Sequence, residues 1–170
     1  MDCRQIQLSF ASPSDAQALA LMSRDLIETG LGWAYRTQRV AKLIGDPEAV
    51  ALVARDGKQI AGFAVMTFAV EHAHLVLLAV RATHQRHGIA KLLIGWLRES
   101  AVTAGMVSIH VELRADNLPA YALYEAMGFA ESFRMPGYYG GRETAVRMIC
   151  LLRAPGMVVE TWRPPTLDRH

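Results

Sequence analysis

The sequence changes abruptly in character between residues 75 and 97, and this change limits the possible folds more than any other feature. Residues 75–80 form an uninterrupted apolar run, as expected of a strand that is buried on both faces. Residues 81–87 are polar and irregular, and Gly88 follows them. From Ile89 onward, apolar residues recur with the i, i+3, i+4, i+7, i+8 spacing of an amphipathic helix. The pattern predicts a buried strand that turns directly into a helix.

The turn at residues 85–90 has the properties of an anion-binding site. The first N–H groups of a helix lack internal acceptors, and the helix dipole adds partial positive charge there. Gly88 and Ala90 are small enough for phosphate oxygens to approach the backbone, and Arg86 and Lys91 add charge nearby. A diphosphate suits this turn better than a carboxylate does. A plain strand-to-helix turn with a permissive glycine would nevertheless have the same pattern.

Hydrophobic periodicity divides the rest of the chain into short strands and amphipathic helices. Strands are predicted at residues 6–8, 50–54, 60–70, 75–80, 107–113, 129–134 and 144–152. Helices are predicted between Ser14 and Gly30, over residues 37–44, between Ile89 and Gly105, and between Asn117 and Gly128. The order β-α-α-β-β-β-α-β-α-β-β predicts an α/β (α+β) fold, a single domain whose mixed, mostly antiparallel central sheet is flanked by helices.

Several local predictions follow from caps and breakers. Ser14 and Gln17 have the spacing of a capping box for the first helix. Residues 136–142 are expected to form a loop between the last two strands. Prolines and glycines after Leu152 interrupt regular structure, so residues 1–152 are predicted to form the domain and residues 153–170 a C-terminal tail.

Composition narrows the classes of function. The chain has 170 residues, 52% hydrophobic and 20% charged, which favours one packed domain over a disordered chain. The net charge of +2 comes from scattered residues and does not favour nucleic-acid binding. Cys3 and Cys150 lack metal-ligand spacing, so we expect no metal and no disulfide framework. Without a signal peptide or a long apolar stretch, a cytoplasmic protein with no membrane partner is expected.

A second motif makes the anion site more specific. Gln85-x-x-Gly88-x-Ala90 resembles the pyrophosphate-binding motif of the GCN5-related N-acetyltransferase (GNAT) family. Residues 112–117 (ELRADN), followed by residues 123–129 (LYEAMGF), are similar to the next motif of that family, in the same order. The resemblance covers about residues 5–152 and is greatest to the subgroup that acetylates protein N-termini, typified by the ribosomal-protein alanine N-acetyltransferases.

The resemblance implies acetyl-CoA as co-substrate, no metal, and a set of residues that would bind the co-substrate. Backbone groups of Leu78, Ala79 and Val80 would bind the pantetheine arm like an added strand. The residues of the turn that would hold the pyrophosphate are Gln85, Arg86, His87, Gly88, Ile89, Ala90 and Lys91. Asn117 and Tyr124 would lie near the sulfur. Two positions depart from the family pattern, Ala90, where glycine is commoner, and Arg81, where an acid is common.

Glu112 and Tyr124 are the predicted catalytic residues. Glu112 lies on the polar face of the strand at residues 107–113 and could take a proton from the amine, the role that the resemblance to the protein-acetylating subgroup implies for this position. His110 shares that face as a substitute, and a surface salt bridge is the alternative role of Glu112. The phenol of Tyr124, with an ordinary pKa of about 10, could protonate a thiolate whose ordinary pKa is about 8.5. Core packing at helical spacing would explain Tyr124 equally well.

The remaining polar and aromatic residues are less informative. Four histidines are close in sequence but have no third ligand at metal spacing, and we interpret them as loop-surface residues: His72, His74, His84 and His87. Four aromatic residues flank segments that line the acceptor site in the family, and could equally be packing residues: Trp33, Tyr35, Tyr138 and Tyr139.

The predicted function is direct transfer of an acetyl group from acetyl-CoA to a primary amine, with a protein or peptide N-terminus as the acceptor. A small-molecule amine is the alternative acceptor. A non-catalytic acyl-CoA-binding module and a nucleotide-binding protein are alternatives of a different class. The expected partners are acetyl-CoA and the amine acceptor, with no nucleic acid and no membrane. The sequence leaves open whether the protein forms a homodimer.

Overall fold

The computed structural model describes residues 5–153. The predicted element order is confirmed. In chain order the elements are β1 (Ile6–Phe10), α1 (Ala16–Met22), α2 (Thr37–Gly45), β2 (Ala49–Asp56), β3 (Gln59–Phe68), β4 (His72–Val80), α3 (Ile89–Thr103), β5 (Ser108–Arg114), α4 (Leu118–Ala126), β6 (Ala130–Tyr139) and β7 (Glu143–Leu151). Cys3 and all but the first residue of the predicted tail lie outside the described residues.

The seven strands of residues 5–153 form one sheet in the order β1-β2-β3-β4-β5-β7-β6. Every neighbouring pair is antiparallel except β4 and β5, which are parallel. Helix α3 is the crossover that joins these two strands, as parallel neighbours require. The α/β fold with a mixed, mostly antiparallel sheet is therefore confirmed.

The parallel strands β4 and β5 pair over only three residues each. His72, Ala73 and His74 are in register with Ser108, Ile109 and His110. Beyond these residues β4 continues to pair with β3 and β5 with β7, but no longer with each other. The sheet therefore opens into a cleft between the carboxyl-terminal parts of β4 and β5.

A β-bulge in β4 lies at the start of this cleft. Leu75 is opposite Met66 and Leu77 is opposite Val65, so Val76 has no partner in the register with β3. Leu75 packs into the core on the α3 side of the sheet, whereas Leu77 packs into the core on the α1 side. A bulge shifts the alternation of side chains in this way and bends the strand.

Two apolar cores cover the two faces of the sheet. On one face, α3 contributes buried residues at helical spacing: Ile89, Leu93, Ile94, Leu97 and Ala101. On the other face, α1 and α2 contribute Leu19, Met22 and Val40. The predicted stripe of α3 is confirmed except at Leu92, which is 44% exposed. No helix within residues 5–153 is long and apolar enough to cross a membrane.

The predicted first helix differs from the structure at both ends. The capping box is formed by Ser12 and Asp15, with the Ser12 N–H donating to Asp15 Oδ2 at 2.8 Å, and not by Ser14 and Gln17. Helix α1 ends at Met22. A π-helical turn, Ser23–Ile27, follows it directly and ends before Gly30. A π turn is wider than an α turn and rotates the residues that follow it. Leu26 is consequently exposed.

The last hairpin is tighter than the sequence predicts. Strand β6 extends through Pro136 to Tyr139, so the loop is shorter than the expected residues 136–142. Register irregularities between Met135 and Tyr139 accommodate the proline, which has no N–H to donate. Tyr138 and Tyr139 consequently lie on a strand.

Candidate active site

The cleft between β4 and β5 contains a cavity of about 620 Å³. Its floor comes from the central strands, and its walls come from α4, the segment between α1 and α2, and the β6–β7 hairpin. The polar and aromatic residues that line it are Glu28, Tyr35, His74, Glu112, Arg114, Asn117, Tyr124, Tyr138, Tyr139, Arg142 and Glu143. The predicted catalytic pair, Glu112 and Tyr124, therefore lies in one cavity.

Beyond His74, the edge of β4 that faces this cleft pairs with no strand within residues 5–153. The Arg81 N–H donates to the Ala61 carbonyl at 2.8 Å, so Arg81 faces β3. Because backbone polar groups alternate in direction along a strand, Leu78 and Val80 direct theirs away from β3 and Ala79 directs its own toward β3. Of the three residues predicted to bind an extended arm, two therefore face the cleft.

The turn after β4 has the backbone conformation of an anion site. Arg86 and Gly88 have φ values of 64° and 80°, in the left-handed region. The first bond of α3 is donated by the Leu92 N–H to the Gly88 carbonyl at 3.0 Å. The N–H groups of residues 88–91 precede it and have no backbone acceptor within residues 5–153. The side chain of Ile89 is buried, so only its backbone can contribute.

Side-chain hydrogen bonds fix this turn to the sheet. Gln85 Nε2 donates to the Val80 carbonyl at 3.0 Å. His84 is 3% exposed, and its Nε2 lies 3.0 Å from Asp56 Oδ2. The prediction of His84 as a loop-surface residue is therefore wrong, because it anchors the turn to the end of β2. The turn itself lies beyond the cavity, at the carboxyl end of β4.

Glu112 is a buried carboxylate with contacts on both oxygens. Its Oε1 accepts hydrogen bonds from Arg147 Nε at 2.9 Å and Nη2 at 2.6 Å. Its Oε2 contacts His74 Nε2. Burial alone raises the pKa of Glu112, but the contacts with His74 and Arg147 outweigh burial and hold the pKa below its ordinary value. The side chain is 8% exposed.

His74 on β4 and His110 on β5 differ in their position relative to the cavity. The His74 side chain is 41% exposed and lines the cavity, so its interpretation as a loop-surface residue is wrong. His110 lies outside the cavity lining, 3.0 Å from Ser108 Oγ and stacked on His72 at 4.7 Å. Burial, followed by the charge of His72, lowers the pKa of His110.

Tyr124 and Asn117 come from α4, on the far side of the cavity. Tyr124 is 6% exposed, packs edge-on against Phe129 at 5.4 Å, and has a pKa raised first by burial and then by Tyr139. The phenol is consequently protonated across the physiological range. Asn117 caps α4, where its Oδ1 accepts from the Ala120 N–H at 3.2 Å. The cap holds α4 at the cavity wall.

The opposite wall is built around a second buried carboxylate, Glu28. Its Oε1 accepts from the Ala34 N–H at 2.7 Å, and its Oε2 accepts from Ser23 Oγ at 2.9 Å. Arg114 Nη2 donates to the carbonyls of Ile27 and Thr29 at 3.1 and 2.6 Å. These bonds fix the segment between α1 and α2, which would otherwise be an unsupported loop.

Sequence reasoning missed Arg147 and the role of His74. Each is a polar residue that directly precedes an apolar run of its strand, which is the signal that could have identified them. Arg147 is directly opposite Glu112 in the register of β5 and β7, but that register is a property of the folded sheet. Within residues 5–153, no group of three or more histidine, cysteine, aspartate or glutamate side chains could hold a metal ion.

A cleft between two splayed parallel strands, with a helix N-terminus at the end of one of them, brings together the two motifs that the sequence analysis singled out. Residues 18–129 match the model of the acetyltransferase (GNAT) family, and the chain belongs to that family.

Among individual proteins, the [ribosomal protein bS18]-alanine N-acetyltransferase of Salmonella typhimurium is 36% identical over 93 residues. The matched segment is 53% of this chain and 63% of that relative, somewhat less than two thirds of its length. The crystal structure of the Escherichia coli ribosomal-protein-S18-alanine N-acetyltransferase has a TM-score of 0.78, with 23% identity over 91% of this chain and 99% of that chain. Arabidopsis thaliana NAA60 in complex with acetyl-CoA has a TM-score of 0.76, with 19% identity over 86% and 98%.

Proposed function

We propose that this protein transfers the acetyl group of acetyl-CoA directly to the free N-terminus of a protein or peptide. One observation carries the proposal: a buried carboxylate, Glu112, and a buried phenol, Tyr124, line the same cavity from opposite elements. Acyl transfer from a thioester to an amine requires a proton acceptor and a proton donor on two sides of one cleft, which the cluster around Glu112 and the phenol of Tyr124 would supply. Membership of an acetyltransferase family supports the same reaction.

The acyl donor fits the cleft and the turn beyond it. The diphosphate would be held by N–H groups at residues 86–91, with charge from Arg86 and Lys91. The pantetheine arm would pair with the backbone of Leu78 and Val80, in the manner of an added strand. The thioester would then lie between β4 and Asn117, beside Tyr124.

The chemistry needs three contributions from the chain. The ammonium of the acceptor must lose a proton, which the cluster around Glu112 is placed to receive. The neutral amine adds to the carbonyl carbon, and a cleft-facing N–H of β4 stabilises the oxyanion. When the C–S bond breaks, Tyr124 gives its proton to the thiolate. The proton released by the acetylated nitrogen then restores the phenol.

A peptide acceptor is favoured over a small amine by the shape and chemistry of the outer wall. Tyr35, Tyr138 and Tyr139 line the cavity beside the segment between α1 and α2. Burial, then repulsion by Tyr138 and Glu112, raises the pKa of Tyr139 to about 12, so it offers a neutral hydroxyl for a peptide. The relatives named as N-acetyltransferases of a ribosomal protein support this choice and a cytoplasmic location.

An acceptor panel tests the proposal. Thiol release from acetyl-CoA is measured with a peptide carrying a free N-terminal alanine, the same peptide with its N-terminus blocked, and a polyamine. We expect release with the free peptide alone, and mass spectrometry should locate the added acetyl group on the terminal nitrogen. Release with the polyamine alone would indicate a small-molecule enzyme. Binding of acetyl-CoA without release would indicate a non-catalytic module, and stabilisation by ATP instead of acetyl-CoA a nucleotide-binding protein.

A further inference from the structure

The cluster around Glu112 contains a group that sequence reasoning did not consider as the base. We propose that His74 takes the proton from the acceptor amine, and that Glu112 is the positioning residue that orients it. Arg147 in turn fixes Glu112. The inference rests on the proposed acetyl transfer and names the proton acceptor within the same site.

Glu112 is poorly suited to accept the proton itself. Arg147 donates two hydrogen bonds to Oε1, and His74 occupies Oε2, so both oxygens are engaged within the protein. These contacts hold the pKa of Glu112 below its ordinary value although burial opposes them. A carboxylate whose charged form is stabilised in this way is a weak base.

His74 has the position and the free nitrogen that Glu112 lacks. A carboxylate can only accept, so the proton of the neutral imidazole lies on Nε2, facing Glu112, and the lone pair lies on Nδ1. Nδ1 has no hydrogen-bond partner within residues 5–153, and the side chain lines the cavity while 41% exposed. A histidine whose tautomer is fixed by a buried carboxylate is the arrangement in which imidazole serves as a base near neutral pH.

The charged groups around His74 are compatible with its role as the base. The titratable and charged groups of the surrounding elements are Glu112 on β5, Arg147 on β7, Tyr139 on β6, Glu28 and Tyr35 before α2, and the stacked His72 and His110 at the closed end of the cleft. Glu112 contacts His74 directly through Oε2, and Arg147 contacts Glu112 on its other oxygen. His110 is directed at Ser108 and cannot reach the cavity lining.

The proton transfer balances within the site. The acceptor –NH₃⁺ gives one proton to Nδ1 and becomes the neutral nucleophile, while the Nε2 proton stays in its contact with Glu112. The imidazolium that forms returns its proton to solvent after the product leaves. No other reactant is needed.

The test is a pH profile of kcat/KM with the peptide carrying a free N-terminal alanine. We expect His74→Gln to lower kcat/KM by about 100-fold or more and to remove the acidic limb between pH 5 and 8. Glu112→Gln should lower kcat/KM by a smaller factor than His74→Gln does. It should also move the acidic limb to lower pH, because the imidazolium loses the carboxylate beside it. Arg147→Met should move the limb to higher pH. His72→Gln, on the same strand but outside the cavity lining, is the matched control and should leave the profile unchanged.

Two further measurements separate catalysis from folding. Thermal melts with and without acetyl-CoA should be alike for wild-type protein and His74→Gln, since the side chain is partly exposed. Added imidazole should restore activity to His74→Ala in proportion to its concentration. An unchanged profile in His74→Gln, together with loss of the acidic limb in Glu112→Gln, would overturn the proposal and make Glu112 the base. Failure of wild-type protein to use any acceptor is a different result, because it would refute the proposed function instead.

Discussion

Each carboxylate in the cavity is held in a different way, and the difference decides what it can do. Glu28 accepts from backbone N–H groups and a serine, so it supports a segment of chain. Glu112 is held by Arg147 and His74, so it orients other side chains. Glu143 has a buried Oε2 without a hydrogen-bond donor within residues 5–153, although Arg114 Nη1 lies 3.4 Å away. Glu143 therefore pairs with Arg114 by charge alone and is the carboxylate with capacity left to accept a hydrogen bond.

Glu143→Gln tests that capacity. Because the Glu143 side chain lines the cavity and is 40% exposed, an acceptor ammonium can pair with it, and we expect the KM for the peptide to rise roughly tenfold while kcat changes little. Arg114 keeps its bonds to the carbonyls of Ile27 and Thr29, which preserve the wall. Steady-state kinetics with varied peptide measure the effect. Glu131→Gln, at an exposed pair with Arg134 outside the cavity lining, is the control, and an equal effect there would contradict a specific role.

Tyr124→Phe tests whether Tyr124 acts as the acid or only as a packing residue. The ring and its contact with Phe129 remain, so unfolding temperature and acetyl-CoA affinity should change little. Loss of the phenol proton should lower kcat by about 100-fold or more. Because burial raises the pKa of Tyr124 well above its ordinary value, the wild-type enzyme should show no basic limb from this residue up to about pH 9. A variant with wild-type kcat would leave Tyr124 with packing alone.

At the scale of single elements, local sequence predicted what local interactions determine. The stripe of α3 and the helix that follows Asn117 depend on neighbours within one turn, and both were predicted correctly except at Leu92. The π-helical turn before Glu28 was not, because it is stabilised by Ser23 and by backbone groups of residues 34 and 35 across a loop. The bulge at Val76 was missed for the same reason, since it exists only relative to β3.

The junction of β3, β4 and α3 depends on the absence of a side chain at Gly62. A Cβ there would lie 3.0 Å from the Ala79 carbonyl, 3.2 Å from Val80 Cγ2 and 3.3 Å from Ile89 Cγ2. Neighbours at these distances must move, and two of them border the cleft edge and the first turn of α3. Gly62 therefore permits the close approach of the first turn of α3 to the sheet.

Gly62→Ala should weaken acetyl-CoA binding at least several-fold, together with a lower free energy of unfolding, by about 1–3 kcal/mol. Isothermal titration and denaturant unfolding measure the two effects. Gly95→Ala is the matched control, because Gly95 lies within α3 with nothing within 4 Å of the added Cβ. That change should stabilise the protein by about 0.5–1 kcal/mol and leave affinity unaltered. Equal affinities for both variants would contradict the role of the junction.

At the scale of the whole molecule, the site is a consequence of sheet topology. Strands β1–β4 and strands β5–β7 meet through three residue pairs, and the cavity begins where that pairing stops. Periodicity predicted the strands and the crossover, and the family resemblance identified Glu112 and Tyr124. Neither indicated that His74 and Arg147 meet at Glu112, because that contact depends on the register among β4, β5 and β7.

The same topology predicts which backbone amides acetyl-CoA protects from hydrogen exchange. Leu78 and Val80 face the cleft, and residues 88–91 offer N–H groups beyond it, so the two sets should respond to different parts of the donor. Acetyl-pantetheine, which has no diphosphate, should slow exchange at Leu78 and Val80 alone, and acetyl-CoA should slow exchange at both sets. The β2–β3 turn at Gly57 lies outside the cavity lining and serves as the internal reference. A ligand at 100 times its Kd stabilises the whole fold by about 2.7 kcal/mol, and this slows exchange at every amide that requires global unfolding. The comparison therefore uses only amides that exchange by local opening. Equal protection of residues 88–91 by both ligands would contradict a diphosphate site at the turn.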